Sequence, residues 1–144
     1  MILPLLLKTS VLLPDELSSV TAQAVAELLH EGQSANTLRS YQSALQYWAA
    51  WYALRYGAQI ELPVPVACVM QFIVDHAQRT TQKGLAHELP PEIDARLVTA
   101  GYKGKLGPFA HNTLVHRIAV LSKAHQAREV KNPCQDPKVR ELPT

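Results

Sequence analysis

The 144-residue chain lacks several features that mark secreted, metal-binding or membrane-spanning proteins. Its two cysteines, Cys68 and Cys134, lie far apart and match no metal-ligand spacing, so a disulfide framework is not expected. The apolar N-terminus reaches Lys8 after a few residues, with no basic region before it and no cleavage site after it. This pattern argues against a secretory signal and is too short for a membrane span. We therefore expect a cytoplasmic protein without a membrane partner.

Acidic residues are missing between Gln33 and Ile60, and charge is segregated along the rest of the chain. The net charge is only +2, yet residues 1–33 carry one basic and four acidic side chains, whereas residues 101–131 carry six basic and one acidic. Segregated positive charge is typical of surfaces that bind nucleic-acid phosphates, although a solvated helix face gives the same pattern. The six histidines show no spacing typical of a metal site, and we expect neither a metal nor a cofactor.

Apolar periodicity predicts an all-α fold, a compact bundle of four to five helices. A first helix is predicted from Pro14 to about Gly32, after an N-terminal extension of residues 1–13. A second begins after Ser34 and ends near Gly57. Its buried stripe has spacings of three and four residues and consists of Leu38, Tyr41, Leu45, Trp48 and Tyr52.

The second half of the chain contains a long interruption of this pattern. A third helix is predicted after Pro65, a fourth from about His111 to Val130, and a short one after Asp136-Pro137. Between the third and fourth helices, residues from about 80 to 110 are rich in glycine and proline and lack apolar periodicity, except for a short helix from about Glu92 to Thr99. The sequence therefore predicts a long irregular insertion that is mobile without DNA.

Helical angles also predict which side chains point outward from the second and fourth helices. The outward set of the second helix is Asn36, Arg39, Ser43, Gln46 and Ala50. The buried stripe of the fourth helix is Leu114, Ile118, Leu121 and His125, and its outward set is Asn112, His116, Ala119 and Lys123, with Arg117 on the flank. An outward face of asparagine, serine, glutamine and basic residues without carboxylates suits a polyanion, and a plain solvent-exposed face explains it nearly as well.

Several motifs resemble one family in the expected order. The stretch SANTLRSY at residues 34–41, followed by YWAAWY at 47–52, resembles the second helix of the core-binding (SAM-like) domain of tyrosine recombinases, the phage-type integrases. Further matches are NTL at 112–114, HRIAVLS at 116–122, and the exit through Asn132-Pro133 and Asp136-Pro137. The resemblance covers most of residues 14–142. It departs in the insertion, because most relatives join the third and fourth helices by a short turn.

The resemblance implies that residues 14–142 form one half of a clamp around duplex DNA, with the second and fourth helices across the major groove. Its further expected partners are the catalytic domain of the same parent protein, which this chain lacks, and other recombinase protomers on DNA. It also implies a nucleoid-associated protein of bacterial or phage origin. The DNA-binding residues carried over by position are Asn36, Thr37, Arg39, Ser40, Ser43, Asn112, Thr113, His116, Arg117 and Lys123. Lys103 and Lys105 in the insertion are candidate contacts to the DNA backbone.

One further motif, His125-Gln126-Ala127-Arg128, matches a signature of the recombinase catalytic domain but is not expected to be catalytic. The reaction needs a tyrosine nucleophile downstream, and the last tyrosine of this chain is Tyr102. We therefore expect no enzymatic activity, and we assign His125, like Trp48 and Trp51, to the core. The alternative function is a helical protein–protein interaction module without direct DNA contact, which would use the apolar N-terminus and the insertion.

Overall fold

The computed structural model describes Gly32 and residues 34–142. The predicted N-terminal extension, residues 1–13, and the first predicted helix, residues 14 to about 32, lie outside this part of the chain except for Gly32. The numbering of helices below starts with the first one that the structure describes.

The longest helix, α1, spans Ala35–Tyr56, and local chemistry explains both of its ends. The Ser34 Oγ accepts a hydrogen bond from the backbone amide of Thr37 at 3.1 Å, which satisfies one of the amides that a first turn leaves unpaired. At the other end, Gly57 has a left-handed backbone with φ of 69°, and its amide donates to the carbonyl of Ala53 at 2.8 Å. A glycine takes this conformation without a steric penalty, so both predicted ends are confirmed.

The third and fourth predicted helices are also present in the structure. Helix α2 spans Val66–His76 and follows Pro65. Helix α4 spans His111–Arg128 and ends at Glu129, which has a left-handed backbone with φ of 55°. Beyond it, a 3-10 turn covers Pro133–Gln135, and the single-turn helix α5 spans Pro137–Arg140.

The insertion between α2 and α4 is more regular than the sequence predicts. An antiparallel hairpin joins β1, Arg79–Thr81, to β2, Gly84–Ala86, and Arg79 forms an ion pair with Glu88. The short helix α3 then spans Pro91–Thr99, which confirms that part of the prediction. The expectation of an otherwise irregular insertion is wrong at the hairpin, because short strands of three residues leave no periodicity that a sequence window can detect.

Backbone hydrogen bonds attach both arms of the insertion to the end of α2. The amide of Leu89 donates to the carbonyl of Asp75 at 3.0 Å, and the amide of Phe109 donates to the carbonyl of His76, also at 3.0 Å. Leu89 itself is buried in the core. The predicted mobility of the insertion without DNA stays a prediction.

The core forms where α1, α2, α3 and α4 meet, and aromatic side chains dominate it. The indole of Trp48 stacks on the ring of Phe72, with centroids 3.7 Å apart and planes inclined by 16°. Trp48, Trp51 and Phe72 are completely buried, so both tryptophans are core residues as expected. The other large side chains of this core that are fully shielded from solvent are Tyr47, Val69, Leu97 and Leu121.

Polar groups inside this core are paired by hydrogen bonds. The carboxylate of Asp75 is completely buried and accepts from the indole of Trp51 at 2.9 Å, from Arg55 at 3.1 Å and from Gln71 at 2.7 Å. His76 is equally buried, and its Nδ1 lies 2.7 Å from the carbonyl of Phe72. Since a carbonyl only accepts, Nδ1 carries the proton, and Nε2 accepts from the hydroxyl of Tyr47 at 2.6 Å.

The described part of the chain is therefore an all-α bundle of five helices with one small hairpin, which confirms the predicted fold class. Within residues 34–142, no helix combines the length and the apolar character needed to cross a membrane. Cys68 and Cys134 are both free thiols.

Candidate nucleic-acid interface

The N-terminal turns of α1 carry five of the residues that the resemblance implies for DNA contact. All five are exposed to solvent; they are Asn36, Thr37, Arg39, Ser40 and Ser43. The guanidinium of Arg39 donates to the side-chain oxygen of Asn36 one turn earlier, so this charge is held beside the helix start by a neutral partner. Thr37 also accepts a hydrogen bond from the capping hydroxyl of Ser34 at 2.8 Å.

The outward set predicted for α1 does not extend along the whole helix. Gln46 is half-buried, and Ala50 is 1% exposed, so the prediction that Ala50 points to solvent is wrong. From Ala44 to Trp51, α1 is enclosed by other elements on nearly every side, because α2, α3 and α4 all pack around it. Only the first two and a half turns present a polar face.

Helix α4 presents the second group of predicted residues. Asn112, His116 and Lys123 are exposed, and Ala119 between them is exposed as well, as the helical angles predict. Thr113 and Arg117 are half-buried. Leu114, Leu121 and His125 are buried on the opposite side and Ile118 is partly buried, so the predicted stripe of α4 is confirmed.

A hydrogen bond joins these two polar regions into one surface. The Oγ of Ser40 in α1 lies 3.2 Å from the Nε2 of His116 in α4. Directly beneath, the two helices pack through a small apolar cluster of Tyr41, Ala44, Leu45, Val120 and Ala124. We call this surface the α1–α4 face; it consists of Asn36, Thr37, Arg39, Ser40, Ser43, Asn112, His116 and Lys123. Neither helix contains an acidic residue.

The electrostatics of the face depend on His116 and Arg117. Partial burial lowers the pKa of the His116 imidazole, and the positive charge of the adjacent Arg117 lowers it further. His116 is therefore neutral at neutral pH, and its Nε2 can form a hydrogen bond either with Ser40 or with a ligand. The permanent charges of the face are those of Arg39 and Lys123, with Arg117 at its half-buried edge.

The two lysines of the insertion have different environments, which corrects one prediction. The ammonium of Lys103 is buried and forms an ion pair with Asp94 at 2.5 Å, and it also donates to the carbonyl of Gly107. It is not accessible to a phosphate, so the predicted backbone contact at Lys103 is wrong. Lys105, two residues later, is exposed, and its predicted contact stays a prediction.

His125 occupies a structural position. It is completely buried, its Nδ1 donates to the carbonyl of Leu121 at 2.8 Å, and its Nε2 accepts from the amide of Val64 at 3.0 Å. Both ring nitrogens are thus occupied, and burial lowers the pKa of the imidazole. Among residues 34–142, no group of three or more histidine, cysteine or acidic side chains is arranged to hold a metal ion.

Two aromatic residues that the sequence patterns do not indicate contact Arg117 at the edge of the α1–α4 face. The guanidinium carbon of Arg117 lies 5.4 Å from the ring centre of Tyr47 and 5.6 Å from that of Phe109. Tyr47 falls one position off the predicted stripe of α1, and Phe109 lies in the insertion, where periodicity gives no signal. The only signal in the sequence for this contact is Arg117 itself, a basic residue on the flank of α4.

Comparisons with known proteins leave the function to be argued from this geometry. No protein-family description matches the sequence, and no curated protein or solved structure is significantly similar to it.

Proposed function

We propose that this chain is the DNA-binding domain of a tyrosine recombinase, and that it contacts duplex DNA through the α1–α4 face. The observation that carries the proposal is the hydrogen bond between Ser40 and His116, because it joins two exposed polar helix segments without acidic residues into one surface. Ten residues were expected to contact DNA from the family resemblance; eight of them form this face, and Thr113 and Arg117 lie at its half-buried edge.

The side chains of the face match the two kinds of contact that DNA recognition requires. Arg39 and Lys123 provide positive charge for phosphate oxygens, which fix position along the duplex. Asn36, Asn112 and His116 carry donors and acceptors of the type that reads base edges in the major groove. No carboxylate of either helix would repel the phosphate backbone.

The proposal assigns binding to this chain and leaves strand cleavage to a catalytic domain of the same parent protein. The purified chain should form no covalent adduct with DNA, because no tyrosine follows the His125-x-x-Arg128 motif and His125 is a core residue. Denaturing electrophoresis with labelled duplex DNA tests this point, and an adduct that survives denaturation would overturn it.

The alternative, a protein–protein interaction module, has weaker support in the described residues. Their large apolar side chains with high exposure are Tyr56, Leu106 and Val115, which belong to three different segments. Single exposed apolar side chains are ordinary on a monomer surface and do not indicate an interface.

Binding of the full 144-residue chain to duplex DNA over a series of salt concentrations tests the proposal. We expect a dissociation constant in the range of about 1–100 µM at physiological salt, rising steeply with salt as phosphate contacts release counterions. Amide shifts in a two-dimensional NMR spectrum should change in the first turns of α1 and along α4, with the hairpin β1–β2 as the internal control. Absent binding at low salt would favour the protein-interaction alternative, and shifts confined to the insertion would contradict the assignment of DNA binding to the α1–α4 face.

A further inference from the structure

Arg117 is held in an unusual setting at the edge of the α1–α4 face. Its guanidinium contacts the rings of Tyr47 from α1 and Phe109 from the insertion, at 5.4 and 5.6 Å from the ring centres. Its backbone carbonyl accepts a hydrogen bond from the indole of Trp48 at 2.9 Å, which fixes this turn of α4 against the core. The side chain is half-buried, so part of it still reaches solvent.

The positive charge of Arg117 has no acidic partner among the described residues. Their ion pairs are Arg55–Asp75, Arg79–Glu88 and Lys103–Asp94, and its Nε is buried without a hydrogen-bond partner. Burial lowers the pKa of the guanidinium, although an arginine remains charged at any physiological pH. A partly desolvated cation without a counter-charge is costly, and an incoming anion would relieve that cost.

The insertion determines where the ring of Phe109 lies. The Phe109 amide donates to the carbonyl of His76, and the Phe109 ring stacks on the neutral His76 imidazole, with centroids 4.6 Å apart and planes inclined by 17°. The ammonium of Lys103 lies 5.6 Å from the centre of the same ring. Lys103 pairs with Asp94 of α3, and Asp94 also accepts from the amide of Gly107 at 2.9 Å. We call these contacts of Asp94, Lys103 and Gly107 the insertion latch.

We infer that Arg117 is a pre-oriented phosphate-binding residue, and that Phe109, fixed by the insertion latch, is a positioning residue for its guanidinium. Ring contacts restrict the guanidinium through its charge without using its N–H groups as donors. The N–H groups of its two terminal nitrogens can therefore meet two oxygens of one phosphate group. His116, the residue before Arg117 in α4, is close enough for the Arg117 charge to lower its pKa, and its hydrogen bond to Ser40 brings two neutral polar groups to this part of the face. The inference rests on the proposed function, since the phosphodiester of DNA would be the ligand, and it assigns a role to the insertion.

Inorganic phosphate is the probe that tests the site separately from DNA. Phosphate is titrated into the full chain at constant ionic strength, and the shift of the Arg117 Nε–H signal reports binding. The Arg117→Met variant should bind phosphate about tenfold or more weakly, as measured from amide shifts. This is the effect expected when a charge-assisted hydrogen bond is lost. Lys138→Met, which removes an exposed charge of α5 outside the α1–α4 face, should change the affinity for phosphate by less than about twofold. Equal phosphate affinity in Arg117→Met and the parent would overturn the inference.

A second pair of variants tests the positioning role of Phe109. Phe109→Met keeps an apolar side chain of similar length without a ring, and Phe109→Tyr keeps the ring. We expect the Met variant to bind phosphate about threefold to tenfold more weakly and the Tyr variant to bind like the parent, while both retain the parent's amide spectrum outside the site. Parent-like phosphate binding by the Met variant would refute the role, because a residue that only fills the core would not affect affinity through its ring.

DNA binding separates this inference from the proposed function. Phosphate binding that depends on Arg117, in a chain that does not bind duplex DNA, would support the anion site and refute the proposed function. DNA binding by the parent that is unchanged in Arg117→Met would support the proposed function and refute the role of Arg117.

Discussion

The two halves of α1 have opposite environments. Its N-terminal turns, up to Ser43, expose almost every polar side chain and pack on α4 through a small apolar cluster around Tyr41. Its segment from Ala44 to Trp51, the enclosed half, is buried except for the half-buried Gln46, and Trp48 and Trp51 have no solvent exposure. One helix thus combines a scaffold segment with a surface segment. Changes in the first should mainly alter stability, and changes of exposed side chains in the second should mainly alter binding.

Trp48→Ala should produce the largest effect on the enclosed half. The variant loses the stack on Phe72 and the hydrogen bond to the Arg117 carbonyl. We expect the free energy of unfolding to fall by about 3–5 kcal/mol, the usual cost of the cavity left by a large aromatic residue. Urea denaturation measures the change. DNA binding should then be lost only together with folded structure, and a folded Trp48→Ala chain with undiminished stability would contradict the assignment of this half to the scaffold.

The enclosed half also makes stability depend on pH through His76, which accepts from Tyr47. Burial lowers the pKa of His76 from 6.5 to about 3, so between these values the unfolded chain binds a proton that the folded chain does not. The contribution of the neutral, buried His76 to stability is therefore complete above pH 6.5 and is lost as pH falls. The free energy of unfolding then decreases by up to about 1.4 kcal/mol per pH unit. Urea denaturation at pH 6.5, 5.5 and 4.5 measures the slope. His76→Gln should show a shallower slope, and parallel curves for variant and parent would count against this mechanism.

A smaller effect is expected at the start of the exposed half. Ser34→Ala removes the acceptor for the Thr37 amide and should lower the free energy of unfolding by about 1 kcal/mol. Ser34→Gly is the matched control and should cost only a few tenths of a kcal/mol, because glycine is tolerated at this position. Chemical denaturation distinguishes the two, and equal losses would show that the cap hydrogen bond is not the cause.

The sequence predicts the helix boundaries well, because single residues determine them. Ser34 and Gly57 act through their own backbone and side-chain chemistry, so α1 begins and ends where they predict. The prediction for Ala50 fails because alanine is small enough to be either exposed or packed closely. Whether Ala50 is buried depends on how the neighbouring helices pack, and the helical angle within α1 contains no information about those helices.

The insertion and its lysines show a second limit of prediction from sequence patterns. Lys103 and Lys105 are equivalent in a sequence pattern, but Asp94 lies nine residues upstream on α3 and pairs with only one of them. The contact between Phe109 and Arg117 likewise depends on how the insertion folds back onto α2. Contacts of this kind join segments without shared periodicity, so the exposed residues of the candidate site could be predicted and the residues that support them could not.

The salt dependence of DNA binding by charge variants tests the central claim, that the α1–α4 face binds duplex DNA, most directly. Arg39→Ala and Lys123→Ala should leave the free energy of unfolding within about 0.5 kcal/mol of the parent. Each should weaken DNA binding and lower the slope of log Kd against log salt concentration by about one, as for a lost phosphate contact. Lys138→Ala is the control, since it removes an exposed positive charge of α5, which lies outside the α1–α4 face. Parent-like binding by both folded variants, or an equal loss in Lys138→Ala, would contradict the claim.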